Sequence, residues 1–342
     1  MKLFFLAILI CLISCSDSAE QEKHFHPLEG QTMGTSYHII FEDVKESKIS
    51  NLQVDSLLEA INQSVSTYIP SSIISRLNEG DTVIVAQENS FETDFFMKNI
   101  KIAKKVFDWT NGYFDPTVMP LVNYWGFGYT KRNPVENIDS AHIDSLMSGI
   151  GFQKIYPLFS RPIWHLPDET EIDFSAIAKG AAVDEISQFL INKNINNFLV
   201  EIGGETYTRG PGRNGEGWVI GINTPVERAA SNDIFDKILI SEKAIATSGN
   251  YRNFYEVNGQ KYAHTVNPKT GYFEQRDVIS ATIVADDCAT ADALATAMIA
   301  SGLQFSKDIL ANLPAEIEGY LLYNNGSDSL LIYQTKGMDQ FK

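Results

Sequence analysis

Residues 171–184, Glu-Ile-Asp-Phe-Ser-Ala-Ile-Ala-Lys-Gly-Ala-Ala-Val-Asp, constrain the fold of this chain more than any other stretch. They read as the end of a strand, a tight turn and the start of a long helix. Ser175 stands at the expected N-cap. Behind it, apolar residues recur at Ile177, Ala178, Ala181, Ile186, Phe189 and Leu190, close to helical spacing. Small residues crowd the first turns, which lets either another backbone or a flat ligand come close. The free N–H groups of a helix start attract anions, phosphates above all, and Lys179 adds a positive charge beside them. By itself the segment reads more simply as a well-capped core helix with one solvated lysine. The rest of the chain has to decide.

At 342 residues, with 44% hydrophobic and 20% charged residues, the chain can bury the core of one large domain or two. Its formal net charge of −16 leaves no general basic surface, so no nucleic-acid partner is expected. An anionic ligand must then be met by a local lysine, a helix start or a bound cation. Lys2 and the apolar run 3–13 form a targeting segment, too short for a comfortable transmembrane helix. The run ends in Leu12-Ile13-Ser14-Cys15, similar to a bacterial lipobox. The expectation is a signal peptide over 1–14, a lipid on the Cys15 thiol, a polar tether over 15–26 and one folded domain over 27–342. Such a chain would be anchored to a bacterial membrane, facing the periplasm or the outside. Only Cys288 then remains in the body, which excludes an intramolecular disulfide.

Within the body, residues 31–41 read as a turn feeding a strand, and 51–65 as an amphipathic helix with Leu52, Leu57, Leu58, Ile61 and Val65 on one face. A break at 66–72 precedes a short helical piece over 73–78, and 91–109 forms a second amphipathic helix stopped by Asn111-Gly112. Residues 130–170 look like helix plus hairpin. Phe198–Ile202 is a buried strand that ends at Gly203-Gly204, and residues 210–217 read as a mobile turn before Trp218–Ile222. Residues 319–323 and 330–333, around an Asn-Asn-Gly-Ser-Asp turn, carry a hairpin signal.

Four further stretches can carry chemistry. Residues 112–128 hold two prolines, several glycines and the aromatics Tyr113, Phe114, Trp125 and Phe127, which either clamp a planar ring or fill the core. Gly203-Gly204 after a buried strand turns backbone N–H groups toward a ligand, or is an ordinary tight turn. His264 ends a short strand within a Thr, Ser, Asn and Gly-rich setting, where an imidazole can carry protons. Asp292 and Thr296 lie four apart and share a helix face; a carboxylate and a hydroxyl there offer oxygens to Mg²⁺, or form a solvated pair.

Taken together, these pieces resemble the flavin transferases of the ApbE family, the FAD:protein FMN transferases. The resemblance rests on Thr32-Met33-Gly34-Thr35, Ser66-Thr67-Tyr68 with Ser72 and Asn78, and Gly112-Tyr113-Phe114-Asp115-Pro116-Thr117. It continues through Trp125-Gly126-Phe127-Gly128, Asp173 to Asp184, Gly203-Gly204 and Ala246-Thr247-Ser248-Gly249. His264 with Pro268, Thr270 and Gly271, then Asp292 with Thr296, complete it. Asn250 is a departure, since the family often has aspartate there.

The resemblance implies an α+β fold of mixed, mainly antiparallel sheets with packed helices. It implies FAD as substrate, with Met33, Tyr68, the backbone around Tyr113, Phe114 and Asp115, and Asp173, Lys179 and Val266 as its neighbours. It implies a Mg²⁺ held by the Ala176 carbonyl, Asp292 and Thr296. FMN would pass from FAD to a threonine or serine of an acceptor flavoprotein carrying a motif like Asp-x-Ser/Thr-Gly-Ala-Ser/Thr, with Lys179 and Asp292 in the catalytic centre. His264 or a carboxylate would take the hydroxyl proton. A Mg²⁺-dependent FAD pyrophosphatase and a non-catalytic FAD-binding lipoprotein are the alternatives.

Overall fold

The computed structural model describes residues 24–44, 48–130, 135, 137–226, 233–250, 265–273, 277–326 and 329–342, and the backbone of 254–257 and 260–263. In chain order the strands are β1 (Phe25–Thr32), β2 (Thr35–Glu42), β3 (Val83–Ile84), β4 (Ile163–Trp164), β5 (Phe198–Ile202), β6 (Glu205–Arg209) and β7 (Trp218–Asn223). They continue with β8 (Ile234–Ile240), β9 (Lys243–Gly249), β10 (Phe254–Val257), β11 (Gln260–Ala263), β12 (Val278–Ala285), β13 (Glu318–Tyr323) and β14 (Leu331–Gln334). The helices are α1 (Asn51–Val65), α2 (Ile73–Asn78), α3 (Ser90–Trp109), α4 (Met119–Tyr124), α5 (Ser140–Gly149), α6 (Phe152–Ile155), α7 (Ala178–Asn192), α8 (Cys288–Ser301) and α9 (Leu303–Leu310). Eight strands form one sheet in the order β1-β2-β5-β6-β9-β12-β13-β14, with antiparallel pairing between neighbours. The remaining strands pair two by two. The fold is the expected α+β class, with antiparallel sheets and helices packed on them.

The sheet is covered on both faces at its centre. β12, Val-Ile-Ser-Ala-Thr-Ile-Val-Ala, is buried almost throughout, as a strand with two covered faces must be. One face meets α7 and α8 and, beyond them, the apolar sides of α1 and α3 (Val54, Leu58, Ile61 and Phe95, Phe96, Ile100). The other face meets the β7–β8 ribbon and the C-terminal turn through Ile222, Ile238, Ile240, Met338 and Phe341. α8 is alanine-rich and buried on nearly every side, the state expected of a helix without a polar face. A Cβ on Gly180 would lie 2.4 Å from the Cys288 carbonyl oxygen and 2.8 Å from the Ala289 Cα. The small residues of α7 therefore admit a backbone, that of α8.

Antiparallel register fixes which residues share an end of the sheet. Thr32 pairs with Thr35, Tyr37 with Ile202 and Ile202 with Glu205, so the Met33-Gly34 and Gly203-Gly204 turns lie together. Phe25, Phe41, Phe198 and Arg209 lie at the opposite end.

Three expectations are corrected. Residues 171–174 form no strand; they are irregular backbone, pinned by Asn78, whose amide donates to the Ile172 carbonyl at 2.8 Å and accepts its N–H at 2.7 Å. Ser175 does not cap α7: the N-cap is Ile177, without a side-chain cap, because the Ser175 hydroxyl is committed to Asp173. The region 130–170 holds α5 and α6, but Ile163–Trp164 pairs with the distant Val83–Ile84 and makes no local hairpin. In addition, β1 starts at Phe25, two residues inside the expected tether. Among the described residues, no helix is long and apolar enough to cross a membrane.

Candidate functional site

The irregular segment before α7 is held from two sides and by a turn of its own. The Asp173 N–H donates to the Pro116 carbonyl at 2.7 Å, joining it to the Tyr113–Pro116 loop, while Asn78 holds Ile172. The Asp173 carboxylate accepts the Ser175 N–H at 2.8 Å and the Ser175 hydroxyl at 2.6 Å, which sets the turn into the helix. Burial pushes the Asp173 carboxyl up, and the Ser175 bonds oppose that shift. Asp115 has a comparable internal task. It accepts the Thr117 N–H and hydroxyl at 2.9 and 2.6 Å and the Phe152 N–H at 3.2 Å, so its side chain ties the loop to α6.

Lys179 stands in the first turn of α7 between two buried carboxylates. Its Nζ lies 2.7 Å from Glu205 Oε2 and 4.0 Å from Asp292 Oδ2. Glu205 opens β6 and is 4% exposed; Asp292 is in α8 and 2% exposed. Burial alone would lower the ammonium, yet the charges of Asp292 and Glu205 outweigh it and hold Lys179 above its usual range. Burial raises both carboxyls, Lys179 opposes that, and Asp292 adds repulsion at Glu205. One ammonium thus serves two buried carboxylates, and the centre keeps an excess of negative charge when all three are ionised.

A second feature favours a cation here. Asp292 Oδ2 accepts the Gly180 N–H at 3.1 Å, a donor that a regular helical turn would spend on the Ala176 carbonyl. Among the described residues, no backbone N–H reaches that carbonyl. Thr296, one turn on from Asp292, shares its hydroxyl with Ser248 at 3.1 Å. A carboxylate, a hydroxyl and a released carbonyl make an all-oxygen donor set suited to a hard divalent ion.

These groups open on a cleft of about 420 Å³. Tyr113, Phe114 and the backbone of Asp115 and Pro116 form one wall, with Val122, Phe127 and Val266 beside them. Asp173, Ser175, Ala176 and Lys179 form its floor with Asp292 and Thr296. A neighbouring hollow of about 560 Å³ shares Asp173, Ser175 and Lys179 and is lined by Met33, Gly34 and Tyr68. The two make one trough with the Lys179 centre in its middle. Trp125 does not line it. It is buried beneath, donating its indole N–H to the Gly271 carbonyl at 2.9 Å.

The sequence model of the ApbE family matches residues 33–321. This chain belongs to the ApbE family. The FAD:protein FMN transferase of Vibrio cholerae serotype O1 is 35% identical over 301 residues, 87% of this chain and 86% of that one. The protein of the same name from Haemophilus influenzae is 33% identical over 307 residues, 87% and 85% of the two chains. The solved structure of the flavin transferase ApbE from Vibrio cholerae matches with a TM-score of 0.77 at 30% identity, over 94% of this chain and 100% of that one.

The ApbE-like residues singled out in the sequence converge on this trough. Tyr113, Phe114, Asp115, Asp173, Ala176, Lys179, Val266, Asp292 and Thr296 line the main cleft, and Met33 and Tyr68 the adjoining hollow. His264 and Cys15 lie outside the described residues; Thr265, Val266 and Pro268, next in the chain after His264, line the cleft. Glu205 was missed as a site residue. A glutamate at the start of a strand reads as solvated, and only its position directly after Gly203-Gly204 hinted otherwise.

Proposed function

We propose that this chain is an FAD:protein FMN transferase, moving FMN from FAD to a threonine or serine hydroxyl of an acceptor flavoprotein. The hydroxyl oxygen attacks the FMN-side phosphorus, the pyrophosphate P–O bond breaks, and AMP departs with the bridging oxygen. The hydroxyl proton goes to a base, His264 or a carboxylate. The product holds FMN through a phosphoester bond. The observation that carries this reading is the trough itself, in which aromatic and apolar walls flank a lysine and an all-oxygen donor set. Planar rings need the first, and a pyrophosphate the second.

Ala176 through its carbonyl, Asp292 and Thr296 would hold Mg²⁺, which when bound supplies positive charge to the pyrophosphate. Lys179 supplies a further positive charge at the same place and orients the phosphates by ion pairing. Met33, Tyr68 and Tyr113 cover ring faces and exclude water from them. The Cys15 lipid would keep the enzyme at a bacterial membrane, on its periplasmic or outer side, where an acceptor carrying a motif like Asp-x-Ser/Thr-Gly-Ala-Ser/Thr meets it.

The test incubates the protein with FAD, Mg²⁺ and a peptide bearing that acceptor motif. Flavin covalently attached to the peptide, with one AMP per flavin, is expected. Free FMN and AMP without labelled peptide would make the protein a pyrophosphatase, and intact FAD would make it a binding protein.

A further inference from the structure

The two contacts of Lys179 are unequal, and the inequality has a structural cause. Glu205 Oε2 is sealed from solvent, and the ammonium at 2.7 Å offsets its charge. An uncompensated buried carboxylate is costly, so Glu205 grips the lysine strongly. The lysine stem passes beside Gly203, where a Cβ would touch the Lys179 Cδ at 3.4 Å and crowd the Thr35 Cγ2 at 2.8 Å. Gly203 sits at φ +62°, in the turn that delivers Glu205 to the start of β6. Asp292, in contrast, receives the ammonium only at 4.0 Å. Its Oδ2 is occupied by the Gly180 N–H, and among the described residues no donor reaches its Oδ1.

We propose that Glu205 is a positioning residue that holds the Lys179 ammonium away from Asp292 and so keeps an Asp292 oxygen available to a divalent cation. An ammonium and a metal ion compete for the same carboxylate lone pairs. A lysine on a flexible four-carbon stem, released from Glu205, needs to move little more than 1 Å to make a full ion pair with Asp292. With Glu205 in place, Lys179 still faces the cleft, with 28% of its side chain exposed, where it can meet a phosphate. Glu205 borders the same cleft, but its Oε2 is sealed from solvent and turned to the ammonium, so it acts through the lysine. The inference rests on Asp292 being a cation ligand.

The test is isothermal titration of MgCl₂ into the FAD-loaded full chain, together with a crystal structure of the isosteric variant Glu205→Gln. The variant is expected to bind Mg²⁺ about tenfold more weakly, the scale of one partly screened charge contact. Its Lys179 Nζ is expected within ion-pair distance of the Asp292 carboxylate. Lys179→Met added to Glu205→Gln removes the competitor and is expected to restore Mg²⁺ affinity to about the wild-type value. Lys179→Met alone is expected to bind Mg²⁺ at least as tightly as wild type, since the lysine contributes no ligand, and it does not rely on Glu205→Gln to fold. Unchanged Mg²⁺ affinity in Glu205→Gln, a lysine still remote from Asp292 in its structure, or weaker Mg²⁺ binding by Lys179→Met would overturn the proposal. Asp292→Asn separates the two levels. Full Mg²⁺ binding by that variant would remove the cation from Asp292 altogether, whatever Glu205 does.

Discussion

Tyr68 is 71% exposed although it lines the hollow beside Met33, an unusual state for a large aromatic. It contributes little to the folded core, so its ring is free to cover a ligand. Tyr68→Ala is expected to leave the melting temperature unchanged and to weaken FAD binding about tenfold, the worth of one stacked aromatic face. Fluorescence titration of FAD checks this, and unaltered affinity would take Tyr68 out of the pocket. At this scale the site was largely legible in the sequence. Tyr113, Asp173, Lys179 and Asp292 each sit next to a local signal, a Pro–Gly path, a turn or a helical period, that fixes where the side chain starts. Glu205 was not legible, because the lysine that pairs with it comes from α7, an element distant in sequence.

Between elements, the decisive contact is the crossing of α7 and α8. Gly180 sets their separation, since any Cβ there meets the backbone of Cys288 and Ala289. Gly180→Ala is expected to cost about 1–3 kcal/mol of stability, the usual range for overpacking. It is also expected to raise the Mg²⁺ requirement, because α8 carries Asp292. Chemical denaturation and Mg²⁺ titration read the two effects separately. The same crossing contains a pH-dependent cap. Asp184 of α7 accepts the Cys288 and Ala289 N–H groups at the start of α8, at 2.8 and 3.0 Å. Burial, with repulsion from Asp287, pushes its carboxyl up to about 7. Unfolded, the group titrates near the ordinary value of about 4. Between those values the folded chain holds a proton that the unfolded chain has lost, so this group's contribution to stability falls as pH rises from about 4 to about 7. Asp184→Asn is expected to flatten the pH profile of unfolding in that window by at most about 1.4 kcal/mol per pH unit. A profile with the wild-type slope would assign the titration elsewhere. Helices α1, α3 and α7 and the β13–β14 hairpin were readable from periodicity and turn residues, whereas the hairpin expected within 130–170 was not formed. The adjacency of β2 with β5 and of β6 with β9 was not readable, since strand order depends on contacts far apart in sequence.

At the scale of the whole molecule, the register of β1 sets the start of the strand and the cleft at opposite ends of the main sheet. Phe25 lies at one end of the main sheet, with its ring 5.9 Å from that of Trp218, while the Met33-Gly34 turn lies at the cleft end. Eight residues of strand span about 26 Å. The chain that leads back to Cys15 therefore leaves from the sheet end opposite the trough, and residues 16–24 can add up to about 30 Å of reach. A lipid on Cys15 would then tether the enzyme through the end of the sheet opposite the cleft. The described lining of the trough comes from the folded body, so the anchor and the chemistry should be separable. Cys15→Ser is expected to appear in the soluble fraction, or unprocessed, while the purified variant transfers FMN to an acceptor peptide at the wild-type rate. Its transfer to a membrane-embedded acceptor is expected to fall, because the two partners are no longer confined to one surface. Fractionation with flavin fluorescence of labelled acceptors measures all three. A Cys15→Ser protein still lipidated and bound to the membrane would refute the anchor, and lost activity on the free peptide would refute the separation of anchor from cleft.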